Sequence, residues 1–235
     1  MSLIVGTAGW SIASAYRPQF GAGESGLARY ATRFGGVEIN SSFYRPHRRE
    51  TWERWAAGVP EGFRFAVKLS KTISHERKLA DCDDLAARFL GEASGLGGKL
   101  AILLLQLPPK LAFEPDIAEP FLAKLAASTP ARLVCEPRHP SWFEAAPDAL
   151  LDRLGIARVA ADPAVVPAAA LPGGWRGLGY WRLHGSPAMY RSSYDDGRLN
   201  LYATALRAER SAWCIFDNTA SSAATGDALG LIERL

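Results

Sequence analysis

Groups that ionise or hydrogen-bond recur directly after short apolar runs, and these are the positions where the chain has the means to do chemistry. Glu38 and Asn40 follow one run, Lys68 the next and Gln106 the next. Then come Glu136 with Arg138, Asp162, Arg182 with His184, and Asp217 with Asn218. Glu38 and Glu136 are the carboxylate candidates. One carboxyl raised in pKa by burial and one kept ionised is the arrangement that serves acid–base work on glycosides. Glu136 is equally placed to be the salt-bridge partner of Arg138, and the spacing leaves both readings open. His184, at the end of its run, is the candidate second proton carrier. His75 and His139 also fall beside run ends, so three of the four histidines gather there, whereas His47 in PHRRE reads as surface.

Lys68, Arg138 and Arg182 have the charge to clamp an anion, and Arg suits phosphate or carboxylate bidentately. Asn40, Gln106, Asn218 and Asp162 would orient a ligand. Tyr44, Trp142, Tyr190 and Tyr194 interleave with the charges, as rings that stack on sugars or nucleobases do. Trp142 reads as well as a residue that packs a loop down. Glu38, Glu136, Asp162, Asp217 and the histidines include the donor types of a divalent-metal site, but no HxH or HExxH pair supports one. The cofactor therefore stays open and no metal ligand is assigned. Neither a P-loop nor a GxSxG elbow is present, and no cysteine has an activating partner.

The elements that would position these groups are eight apolar runs, at 3–7, 37–39, 63–69, 100–106, 133–136, 156–162, 180–184 and 213–218. Helix-like segments alternate with them, at 27–34, 51–57, 83–95, 117–126, 147–154, 199–210 and 223–235. Nearly continuous apolar strands alternating with helices imply parallel strands with right-handed crossovers. Eight of them predict a single (β/α)8 TIM-type barrel over 1–235, whose carboxyl-end face would gather the polar run ends. The open doubly wound alternative wants GxGxxG after the first strand, and GTAGWS stands there instead. Between Asp162 and Tyr180 the segment is too rich in Pro and Gly for a helix, so the sixth helix is expected to be missing or reduced.

The chain has 235 residues, 48% of them hydrophobic and 22% charged, with a net charge of +3. That is an ordinary globular balance, mildly basic and compatible with an anionic substrate. Three scattered cysteines make no disulfide framework. The absence of a long apolar stretch or a signal-peptide pattern argues for a cytoplasmic protein without a membrane partner, a monomer by default.

The stretches GTAGWS, VEINSSFYRP with Trp52 and Trp55 following, FRFAVKLSKTISH, KLAILLLQLPP, CEPRHPSWF, WRLHGSPAMYRSSYDD and IFDNTASSAA span almost the whole chain. Together they resemble the YecE-like family, domain-of-unknown-function family 72. The chain departs from the family pattern in the loop 11–23, which lacks a second Trp and a Phe-Tyr-Pro. It also carries ISH where members carry ITH. The resemblance implies a TIM-type barrel and brings no assigned activity. The functional expectation is an enzyme acting on a small anionic, phosphate- or sugar-containing substrate by hydrolysis or other acid–base chemistry. The alternatives are a metal-dependent phosphodiesterase of endonuclease type and a non-catalytic module binding nucleic acid or an anionic metabolite.

Overall fold

Each apolar run becomes a strand, and most segments between the runs become helices. The computed structural model describes residues 2–235, and Met1 lies outside the described residues. Along the chain come β1 (Ser2–Thr7), α1 (Gly26–Tyr30), β2 (Gly36–Ile39), α2 (Ser41–Tyr44), α3 (Arg49–Ala57) and β3 (Arg64–Lys68). Then follow α4 (Asp83–Ala93), β4 (Leu100–Gln106), α5 (Pro115–Ala127), β5 (Arg132–Glu136), α6 (Ala145–Arg153), β6 (Ala157–Arg158) and β7 (Ala160–Asp162). The remainder is β8 (Gly173–Gly174), β9 (Gly179–Leu183), α7 (Asp196–Arg207), β10 (Ser211–Phe216) and α8 (Ala223–Ile232). Between β7 and β8 the Pro-rich segment forms only a 3-10 turn, Pro167–Ala170.

The strands make two sheets, ordered β1-β10-β9-β7 and β2-β3-β4-β5-β6-β8. Every pairing is parallel except β6 with β8. A single closed ladder was the expectation; the backbone hydrogen bonds instead stop at two seams. At one seam only Val159 separates β6 from β7, so one run of chain serves both sheets, and the Val159 N–H donates to Cys135 O (2.8 Å).

At the other seam β1 and β2 meet through one bridge, Ala8 with Glu38. Tyr30 explains the gap. Its hydroxyl accepts the Thr7 N–H at 2.9 Å and donates to Gly36 O at 3.3 Å, so a phenol stands where ladder bonds would run. The strands approach so closely that a Cβ on Gly6 would lie 2.3 Å from Gly36 O, which explains why glycine stands there.

Alternate strand residues enter two different cores, as the pleat requires. Ala66, Leu104, Val134, Tyr180, Trp213 and Ile215 come from both sheets and pack together between them. The intervening residues, among them Val67, Leu105, Cys135, Leu183 and Phe216, join the helices in a larger outer core. The helices meet them with apolar faces of helical spacing; α5 buries Ala118, Phe121, Leu122 and Leu125. His47, expected at the surface, is 9% exposed; its ring lies 5.4 Å from Trp52 and 5.0 Å from Trp55, and its Nε2 bonds Ser41 Oγ at 2.8 Å.

Replacing Tyr30 with Phe removes the partner of a buried N–H and of a buried carbonyl. We expect a loss of about 1–3 kcal/mol in urea unfolding. An unchanged midpoint would show that the seam does not need the phenol.

Candidate functional site

The pleat that builds the inner core also selects which polar residues meet. One step of two beyond the inner-core positions lie Lys68 after Ala66, Gln106 after Leu104, Glu136 after Val134, Arg182 after Tyr180 and Asp217 after Ile215. A further step reaches Arg138 and His184. The parallel registers place these groups side by side. Gln106 pairs with Glu136 across β4 and β5, and the Asp217 N–H donates to Leu183 O (2.8 Å).

At the centre sits Arg182, with no exposure. Its Nε and Nη2 hold Glu38 bidentately at 3.0 and 2.7 Å. Its Nη1 meets Glu136 at 2.6 Å and its Nη2 meets Asp217 at 2.9 Å. Tyr180 donates to Glu38 at 2.8 Å, and Gln106 to Glu136 at 3.1 Å. A buried charge is tolerable only when paired and hydrogen-bonded, and this guanidinium makes four hydrogen bonds to three carboxylates.

His184 lies between two acids, its Nδ1 3.1 Å from Asp217 and its Nε2 3.1 Å from Glu136. Burial works against its charged form, but Glu136 and the hydrogen bonds to Asp217 and Glu136 outweigh that and raise its pKa. Burial likewise pushes Glu136 up, and the charges of Arg182, His184 and Arg138 overcome it, holding the carboxyl well below the usual range. Asp217 is also lowered: burial opposes this, and Arg182 and His184 prevail.

Lys68 is different. It is 7% exposed, and its Nζ lies 4.1 Å from the centre of the Phe43 ring. Among the described residues no carboxylate pairs with it; Arg182, Arg138 and His184 take Glu38, Glu136 and Asp217. Burial first, then the charge of Arg182, brings its pKa down to about 8. Its backbone is fixed by Ser42 Oγ, which donates to Lys68 O at 2.7 Å. The same Phe43 ring meets His75 edge to face at 4.9 Å. Burial, then Lys68 and Arg138, lower the His75 pKa, and its Nδ1 bonds Ser74 Oγ at 2.9 Å.

Arg138 donates to Glu136 at 3.0 Å through Nη2 and reaches the Tyr190 hydroxyl at 3.5 Å. Tyr190 holds a left-handed backbone, φ 66°, and its N–H donates to His184 O. Its ring therefore stands edge-on to His184 at 5.6 Å. Strain of this kind in a non-glycine residue is commonest where a loop serves a site. A recess beside Glu136 and His184 is walled by Phe143, Val165 and Met189.

Several expected residues do other work. Glu38 has no exposure and both its oxygens are spent on Arg182 and Tyr180, so it does not face Glu136 across open space. Arg182 is committed to protein carboxylates and is no free anion clamp. Asp162 and Asn218 each stand one residue past an inward position, which turns them to the other face. Asp162 pairs with Arg198 at 2.8 Å; Asn218 donates to Asp227 at 2.6 Å and to Ser192 O at 2.9 Å.

His139 accepts from the Ser141 N–H at 3.2 Å and caps the turn Pro140–Phe143. Trp142 is 1% exposed and donates to Leu111 O at 3.0 Å, so it packs a loop. Tyr194 is buried, its hydroxyl accepting the Gly185 N–H at 2.8 Å. Tyr44 is 71% exposed beside Arg45, away from the cluster. Asn40 lies next to it, donating weakly to Asp217 at 3.4 Å, and its Oδ1 is sealed without a partner. From sequence Asp217 stood only among the strand-end groups and possible metal donors, and Tyr180 had no site role. Their step of two along the inner face was the signal that would have found them.

The residues do not fit a resident divalent metal. The acids and the imidazole that would ligate one turn their lone pairs and ring nitrogens onto Arg182, Arg138 and each other, so a guanidinium holds the place of the cation. Among the described residues no group of three His, Cys, Asp or Glu is arranged to hold a metal ion. None of their helices is long and apolar enough to cross a membrane.

An α/β chain with parallel sheets and a charge cluster of this build is thus defined by structure alone. Residues 4–235 match the family described as "Protein of unknown function DUF72", and the chain belongs to that family. It is 36% identical over 123 residues to the UPF0759 protein YecE of Escherichia coli K12, covering 52% of this chain and 44% of that one. It is 29% identical over 113 residues to the UPF0759 protein YunF of Bacillus subtilis, 46% and 40% of the two chains. The chain thus aligns with less than half the length of these curated relatives. In fold it is similar to DUF72 family proteins from Enterococcus faecalis (TM-score 0.82, 20% identity, 99% and 95% of the two chains) and Thermotoga maritima (0.79, 22%, 99% and 98%).

Removing Arg182 strands three carboxylates. Arg182→Met is expected to cost at least about 3–5 kcal/mol in chemical unfolding. The raised His184 pKa gives stability that is full below the ordinary imidazole value of 6.5 and lost as pH rises through the raised value. Glu136 and Asp217 contribute the reverse, full above the ordinary carboxylate range and lost as pH falls through their lowered values. His184→Gln should therefore flatten the alkaline decline of the stability–pH curve and leave an acid one. An unchanged alkaline limb would contradict the assignment.

Proposed function

We propose that the protein is an enzyme whose polar face binds a small anionic, sugar- or phosphate-containing substrate and moves protons on it. The two sheets are read here as the arcs of one eight-fold (β/α) barrel, with Val159 and the Tyr30 phenol as its seams, and the cluster as the carboxyl-end site of that fold. The observation that carries the proposal is Lys68, a nearly buried ammonium with no protein carboxylate against it. Three carboxylates are taken by Arg182, Arg138 and His184, whose pKa is raised, so among the described residues Lys68 is the cation of the cluster left without an ion-pair partner. An anion matches that excess, and Arg138 at the rim is placed to meet its other end.

Proton transfer falls to Lys68 and His75 rather than to the acid pair. A carboxylic acid able to protonate a leaving group needs a raised pKa, whereas Arg182 holds Glu136 well below the usual range. Of the four rings that would have tracked a nucleic-acid strand, Trp142 and Tyr194 are buried, and only Tyr44 and Tyr190 are exposed.

Calorimetric titration of the whole chain with inorganic phosphate and glycerol 3-phosphate tests this reading. We expect saturable binding that weakens as salt rises and that Lys68→Met or Arg138→Ala reduces by about tenfold or more. Absence of saturable binding, or binding indifferent to both substitutions, would contradict it.

A further inference from the structure

The surroundings of Lys68 go beyond those of an anion clamp. A lysine that only binds an anion works as a solvated, permanently charged point. Here the stem is buried and, among the described residues, no carboxylate forms an ion pair with the Nζ; the Phe43 ring and the more distant Glu136, Glu38 and Asp217 favour its charge, but burial and Arg182 outweigh them. Such desolvation beside another cation is how enzymes free an amine lone pair for attack on a carbonyl. Arg182 in the same cluster disfavours the ammonium, and its three acids, each paired elsewhere, offset only part of the combined effect of burial and Arg182.

Resting on the anionic-substrate reading above, we propose that Lys68 is a nucleophile that forms an imine with the aldehyde or ketone carbon of an anionic substrate. The neutral Nζ attacks the carbonyl carbon, forming a C–N bond while the C=O π pair moves to oxygen. A proton passes from nitrogen to that oxygen to give the carbinolamine. Loss of the hydroxyl as water, with a proton supplied to it, leaves the protonated imine. No oxidant or reductant is consumed.

The neighbours supply what these steps need. Burial, then the charge of Arg182, depresses the amine to about 8, so a usable fraction is neutral near pH 7. His75 shares the Phe43 ring with Lys68, and its own lowered pKa makes it a neutral base able to carry the proton between nitrogen and oxygen. Asn40, which caps the start of α2 just past β2, donates to Asp217 at 3.4 Å and so lies at the edge of the same cluster. Its Oδ1 is a sealed acceptor without a donor, and the hydroxyl of a carbinolamine has the matching chemistry. Arg138 holds the anionic group away from the reacting carbon.

The test is reductive trapping. The protein is incubated with dihydroxyacetone phosphate, and separately with uncharged glycolaldehyde, in the presence of cyanoborohydride, then digested and mapped by mass spectrometry. The expected result is one adduct concentrated on Lys68. It should form faster with the phosphate-bearing ketone, be competed by glycerol 3-phosphate, and follow a pH profile with its midpoint near the depressed lysine value. Lys68→Arg keeps the charge but not the nucleophile, and must abolish the adduct while phosphate still binds. Exposed Lys124, paired with Asp83 on the far side, is the internal control. Adduct spread over Lys124 and other surface lysines, or none at all, overturns the imine. If glycerol 3-phosphate still binds in that case, the anionic-substrate reading survives; if it does not, both fall.

Discussion

The interior of this protein is organised by one guanidinium. Arg182 is wholly buried and draws Glu38 from β2, Glu136 from β5 and Asp217 from the end of β10 onto one centre. Water cannot stabilise any of these charges there, so the strands that carry them must hold their positions for the pairing to succeed. The arrangement joins strands of both sheets. It also shapes what lies above it: the His184 pKa is raised because two of these acids flank it, and Arg138 is oriented by the outer oxygen of Glu136. Lys68 stands unmatched because the acids are already used.

The cluster therefore has a structural floor and a reactive rim. Glu38, Tyr180 and Arg182 make the floor, sealed from solvent. Lys68, His75, Arg138 and Tyr190 make the rim, supported by Phe43 and by the strained turn at Tyr190. Rigidity below and unpaired charge above are the conditions under which a shifted pKa survives without being neutralised by rearrangement.

The strand–helix alternation and the gathering of polar groups at strand ends were legible in the sequence, because apolar runs and their terminal residues are local features. The division of those groups between faces depends on a step of two. Asp217 and Asn218 are adjacent in the chain, yet one reaches Arg182 and the other braces Asp227 of α8. Asp162 went astray the same way: a shift of one residue sends it to Arg198. Pairing was not legible, because whether Glu136 serves Arg138, Arg182 or a substrate depends on side-chain reach across strands 46 residues apart. The seam at Tyr30 was hidden too, since an aromatic in a helical segment reads as ordinary core until its hydroxyl is seen between β1 and β2.

Lys68 is the desolvated cation of this cluster, without an ion-pair partner among the described residues. A pH titration of the protein by NMR with isotope-labelled lysine side chains measures it directly. We predict that one lysine resonance, absent in Lys68→Met, titrates with a midpoint of about 8, below the ordinary lysine value of 10.5. A Lys68 midpoint among those of the surface lysines would contradict it, and would make Lys68 an ordinary solvated side chain.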